Sequence, residues 1–244
     1  MTNQPKNRRR SGFTLVELIV VLMILVGLAA ILIPAVTDMV ARTNASTSAS
    51  NIAEVANSVQ RYETQFLSYP NNLDSLMTDL TGTDLDTLSA GLTAATADVT
   101  LTAPTRVPLT TAGITSVGLH TAGDNTFQPA TATALTDTTV LKGLTAAAQQ
   151  TLGIETTGVL GKYIVLGVGA LSDLNGKTSI DAPVYFPENG TLNPDSVYGR
   201  FIAVFQITDG TNPLNRAKLT AIITPTGDGL NAGLSDYFDI AVGN

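Results

Sequence analysis

The chain has 244 residues and a mass of 25.3 kDa, with 13 Lys+Arg against 20 Asp+Glu and a formal net charge of -7. It contains no cysteine and one histidine, His120, which excludes disulfides, zinc–cysteine sites, iron–sulfur clusters, thiol nucleophiles and multi-histidine metal cages. The acidic balance argues against nucleic-acid binding through a basic face, while the length is enough to bury a core.

Residues 1–12 form a basic leader, with Lys6, Arg8, Arg9 and Arg10 and no acid. From Phe13 to Val36 the chain is apolar and carries one charged residue, Glu17. At ~1.5 Å per residue, a helix over this run would be about 36 Å long, enough to cross a ~30 Å hydrocarbon core. The leader's cations should stay on the cytoplasmic side and send the C-terminus across.

Three ordinary explanations compete for this segment. A secretory signal cut near Ala29-Ala30 suits the small residues but not Glu17, nor an apolar run that continues past the cut. A twin-arginine signal has Arg9-Arg10 but lacks the usual spacing before its apolar core. A plain membrane anchor is the third. Glu17 distinguishes among them, because an ionised carboxylate inside an apolar helix costs roughly a few kcal/mol in lipid unless paired. A cut between Gly12 and Phe13 would create an α-amino group at Phe13. That amine could meet Glu17 of an axially offset neighbouring copy, neutralising both charges and fixing the register between subunits.

Gly12-Phe13-Thr14-Leu15-Val16-Glu17, behind a basic leader and ahead of an apolar run with Pro34, resembles the prepilin signal of type IV pilins and type II secretion pseudopilins. The resemblance implies that a prepilin peptidase cuts after Gly12 and methylates Phe13. It also implies that Glu17 is the family's assembly carboxylate, and that Pro34 stands where members often carry a helix-loosening proline. It covers residues 8–36 and fades beyond the stalk.

Past Pro34, Ile52, Val55, Ala56, Val59, Tyr62 and Phe66 recur at steps of three and four and mark one apolar helix face. The spacing predicts a long helix over 13–67, weakened near Pro34 and across the Asn/Ser/Thr-rich stretch 44–50, and ended by Tyr69-Pro70. The segment from Tyr62 to Met77 is similar to the region after the stalk in major pseudopilins.

Residues 81–160 are Thr-rich, with 22 Thr among 80 residues and only Arg106 and Lys142 as cations. They read as an exposed loop-and-strand insertion, with strands at Asp98–Thr102 and Ile114–Leu119 and a short helix at Leu141–Leu152. Strand signals follow at Lys162–Val168, Gly199–Thr208, Lys218–Thr224 and Asp236–Val242, with a turn at Gly210–Pro213.

Asn175-Gly176-Lys177-Thr178 looks like the end of a phosphate loop, but Leu171 occupies the position of the required first Gly, so it reads as a turn. His120 among many hydroxyls reads as an ordinary surface or loop residue. Asp228, Asn231, Asp236 and Asp239 lie in a Gly-rich C-terminal stretch whose oxygens suit Ca²⁺; major pseudopilins are similar in having a C-terminal calcium loop. No other cofactor is expected.

The sequence thus predicts an α+β chain, a long N-terminal helix packed against a C-terminal antiparallel sheet. Its parts are a leader at 1–12, an assembly helix at 13–36 and an amphipathic stalk at 37–68. A variable region at 69–160 and a sheet region at 161–244 complete it. The resemblance implies a filament subunit rather than an enzyme, most like a pseudopilin, with a type IV pilus major pilin or a minor tip-binding pilin as alternatives. Its partners would be copies of itself, other pilins, prepilin peptidase and an inner-membrane assembly platform. The expected location is the inner membrane, single-pass with the head outside the cytoplasm, and then a periplasmic or surface filament.

Overall fold

The structure, a computed structural model, describes residues 14–120, 131–185 and 197–232, apart from the side chains of Pro34, Ala35, Asp38, Ala41, Arg42 and Ala45. The chain divides into two compact units, Met1–Val40 and Ala41–Asn244. Helix α1 (Leu15–Phe66) contributes to both.

In the first unit, the Leu15–Ile33 portion of α1 is long and apolar enough to cross a membrane, with a mean hydropathy of 3.1. Its residues are all exposed.

In the second unit, Ile52, Val55, Val59 and Tyr62 of α1 are buried in the main core, as the 3.6-residue periodicity predicts. Burying each such side chain contributes roughly 1.5–3 kcal/mol. Weak helix formers such as those at 44–50 cost at most about 0.7 kcal/mol each, so packing decides and the segment is helical. The helix also continues through Pro34. It stops at Leu67, whose φ of 57° puts it in the left-handed region that closes helices. Arg216 donates to the Leu67 carbonyl at 3.1 Å.

Among the described residues, eight strands form one sheet: β1 (Leu73–Asp74), β2 (Thr96–Thr100), β3 (Ser116–Leu119), β4 (Thr131–Ala134), β5 (Val140–Leu144), β6 (Tyr163–Gly167), β7 (Ile202–Thr208) and β8 (Pro213–Ile223). Helices α2 (Ala90–Ala95), α3 (Ala103–Thr111) and α4 (Ala146–Thr151) lie between them in sequence. The order runs β2-β5-β6-β1-β3-β4, and β7 and then β8 extend from β6. β6 is the shared strand: β7 pairs along its length, β5 meets it at Ile164 and β1 meets it at Gly167. β1 runs parallel to β3, so the sheet is mixed rather than wholly antiparallel.

The strands sort their side chains by alternation. Ile164, Leu166, Phe201, Ala203, Phe205 and Ile207 join α1 in one cluster, together with Leu109 and Ala112 from α3 and its C-cap. Tyr163, Val165, Ile202 and Val204 join a second cluster with Leu92 of α2 and Ala148 of α4. Both faces of the central strands are therefore covered, which is why β6 is buried at every position.

The covering corrects the expectation that 81–160 is an exposed insertion. Leu101, Leu109, Ile114, Val117, Leu135 and Leu141 from this region belong to the main core. The expected helix at Leu141–Leu152 is instead strand β5 followed by α4, split at Thr145, whose hydroxyl caps α4 by accepting from Ala148 N–H. The expected strands at 162–168, 199–208 and 218–224 are present as β6, β7 and β8; Asp236–Val242 lies outside the described residues. Lys142 of β5 sits between Asp84 and Asp98 at 2.5 and 2.7 Å. Burial works against its charge, but the two carboxylates outweigh that penalty and hold it above the ordinary lysine range.

Candidate functional site

Among the described residues, two places carry unusual chemistry. The first is the start of α1. Thr14 and Glu17 form a reciprocal cap: Thr14 N–H and its hydroxyl both donate to Glu17 Oε2 at 2.9 Å, and Glu17 N–H donates to Thr14 Oγ1 at 3.3 Å. This is the capping box of a Thr three residues before a Glu, legible in Thr14-Leu15-Val16-Glu17 but missed by attention to the carboxylate's cost alone. Glu17 therefore has local partners that satisfy N–H groups at the helix start. It also lies beside the helix N-terminus, where the macrodipole favours negative charge. Gly12 and Phe13 lie outside the described residues, as does the side chain of Pro34.

The second place was not anticipated. His120, expected to be an ordinary surface or loop residue, does lie in the loop that leaves β3 but is only 2% exposed. It follows β3, and the parallel pairing of β3 with β1 sets it beside Asp74. Its Nε2 is 3.9 Å from Asp74 Oδ2, and its ring packs edge-on against Tyr198 at 5.8 Å. The Tyr198 hydroxyl donates to the same Asp74 oxygen at 2.9 Å. Asp74, Tyr198 and His120 are all buried, with Arg200 nearly so. Gly167 and Gly169 create the space: a methyl group at either would collide with the Tyr198 hydroxyl or the Asp74 carboxylate. Burial pushes the Asp74 carboxyl up to about 7, against the opposing pull of the Tyr198 hydrogen bond and the Arg200 charge. Burial and the neighbouring Asp74 raise the Tyr198 phenol well above its usual range.

The calcium candidates are not assembled among the described residues. The Asp228 carboxylate accepts from Thr226 Oγ1 at 2.6 Å, and its N–H donates to Thr224 Oγ1 at 3.1 Å, so it serves the turn after β8. Asn231 lines a shallow groove with Leu152 and Ala221. Asp236 and Asp239 lie outside the described residues. No group of three or more His, Asp or Glu placed to hold a metal occurs among the described residues. The phosphate-loop look-alike is a turn, and Lys177 reaches the Tyr62 hydroxyl at 3.1 Å and covers the Tyr62 and Phe66 rings.

Residues 7–33 match the family model of the prokaryotic N-terminal methylation motif. This is a type IV pilin-like signal of the kind processed by prepilin peptidase, and it coincides with the basic leader and the uncovered apolar helix. No curated protein and no solved structure matches the chain.

Proposed function

We infer that the chain is a structural subunit, not an enzyme, of a type IV pilus-like filament, and more narrowly a pseudopilin of a type II secretion system. The observation that carries this reading is the overlap of the methylation motif at 7–33 with a long apolar helix, Leu15–Ile33, whose residues are exposed. Such a surface needs either lipid or copies of itself, and burying it drives assembly. In this reading the precursor sits in the inner membrane with its head outside the cytoplasm, and prepilin peptidase cuts after Gly12. An assembly platform then moves the helix from lipid into a filament core, where Glu17 meets the Phe13 amine of the next copy.

The narrower reading has its own test. Electron microscopy of shear fractions at native expression should show no long surface fibres, and deletion of the gene should abolish export of secreted proteins. Abundant long fibres with intact secretion would instead mark the chain as a type IV pilus major pilin.

A further inference from the structure

A groove of about 520 Å³ in the second unit runs between α1 and the sheet. Its walls include Ile52 and Ala56 of α1, Leu152 and Ile154 after α4, Ala221 of β8, and Leu230. Ile52 is buried at the floor, Leu230 is 40% exposed, and the other four are half-buried. Three consecutive residues of β8, Thr220, Ala221 and Ile222, line the groove. Successive side chains of a strand point to opposite faces, so a groove that meets all three follows the strand's edge. Among the described residues, β8 pairs with β7 alone, apart from one antiparallel bridge between Ile223 and Gly229. Its other edge therefore offers backbone N–H and C=O groups to an extended segment.

The bridge also sets where the chain goes next. It turns the backbone back toward β8, and Leu230, Asn231 and Ala232 lie in the wall of the same groove. Residues 233–244 follow, outside the described residues, and half of them are apolar or aromatic: Leu234, Tyr237, Phe238, Ile240, Ala241 and Val242. Leaving so much apolar surface in water is unfavourable. Fully extended, a segment of this length reaches roughly 40 Å, so its tether does not keep it from the groove.

We propose that residues 233–244 lie back along the free edge of β8 and press their apolar side chains into this groove, forming a C-terminal strap that ties the sheet and the segment after α4 to the stalk helix. The occupant is the chain's own tail, because the tail starts on the groove wall. A tether that short gives it a local concentration on the order of millimolar, which a free partner seldom matches. The strap does not depend on filament assembly.

The test places pairs of cysteines in the full chain, which has none of its own. Ala53 is exposed on the groove wall. Ile180, 99% exposed, lines a different groove and serves as the control. Under mild oxidation in detergent micelles, Ala53→Cys with Phe238→Cys should form a disulfide within one polypeptide, read as a faster-migrating monomer on a non-reducing gel. Ile180→Cys with Phe238→Cys should form it roughly tenfold less readily, since only the first pair shares the tethered site. Equal yields from the two pairs, or no bond in either, would overturn the strap. Linked dimers in place of the linked monomer would give the groove to a neighbour's tail and overturn it as well. A second readout needs no cysteine: a chain ended after Ala232 should unfold at a lower denaturant concentration, and an unchanged midpoint would overturn the proposal.

Discussion

Glu17→Ala should abolish filament assembly while leaving cleavage after Gly12 intact, as read by cross-linking of neighbouring copies in membranes and by the mass of the chain. Breaking one side of a buried ion pair costs about 3–5 kcal/mol, which is roughly two to three and a half powers of ten in each subunit contact. The capping box at Thr14 supplies the control. Thr14→Ala removes that cap, costs about 1 kcal/mol of helix stability, and should leave cross-linking largely in place. Equal losses from the two substitutions would show that Glu17 acts only as a cap, and the pairing with Phe13 would fall.

The second large effect is in the head. Phe205 lies fully buried in the middle of β7, paired with Ile164 of β6 and Leu219 of β8, and its ring meets Tyr69 edge-on at 5.1 Å. It therefore joins the central strands to the segment that follows α1. Phe205→Ala should cost about 3–5 kcal/mol, much of the roughly 5–15 kcal/mol that holds an ordinary domain folded. Denaturant unfolding of the full chain in detergent should show the head's midpoint falling sharply. A midpoint within a tenth of the original would mean that the core is not organised around β7.

The sequence made legible those features whose signal is local and periodic. Of the apolar stripe, Ile52, Val55, Val59 and Tyr62 are buried as its spacing requires, Ala56 is half-buried and Phe66 at its end stays exposed, and β6, β7 and β8 lie where Ile, Val, Phe and Tyr alternate or cluster between turn residues. Residues 81–160 were misread because their surface is written in threonine. The few large residues that matter, such as Leu109, Ile114 and Leu141, are scattered and find one another only through strand pairing. Helix α2 was missed because only six residues form it, although Ser89 caps it by accepting from Leu92 N–H and donating to Pro225 O. The Asp74–His120 pair brings together residues far apart in the chain, and its depth depends on two glycines in β6 and the segment after it. Neither spacing nor composition signals such a contact. The methylation signal is different in kind. It is a contiguous string, Gly12 to Glu17, inside the 7–33 family match, and it needs no folded neighbour to be legible.

The account turns on what the mature chain begins with. Intact mass and N-terminal sequencing of the protein recovered from membranes should find a polypeptide that starts at Phe13 and carries one methyl group on its amine. A chain that still begins at Met1, or one that starts beyond Val36, would contradict the filament subunit and leave an ordinary tethered or exported protein.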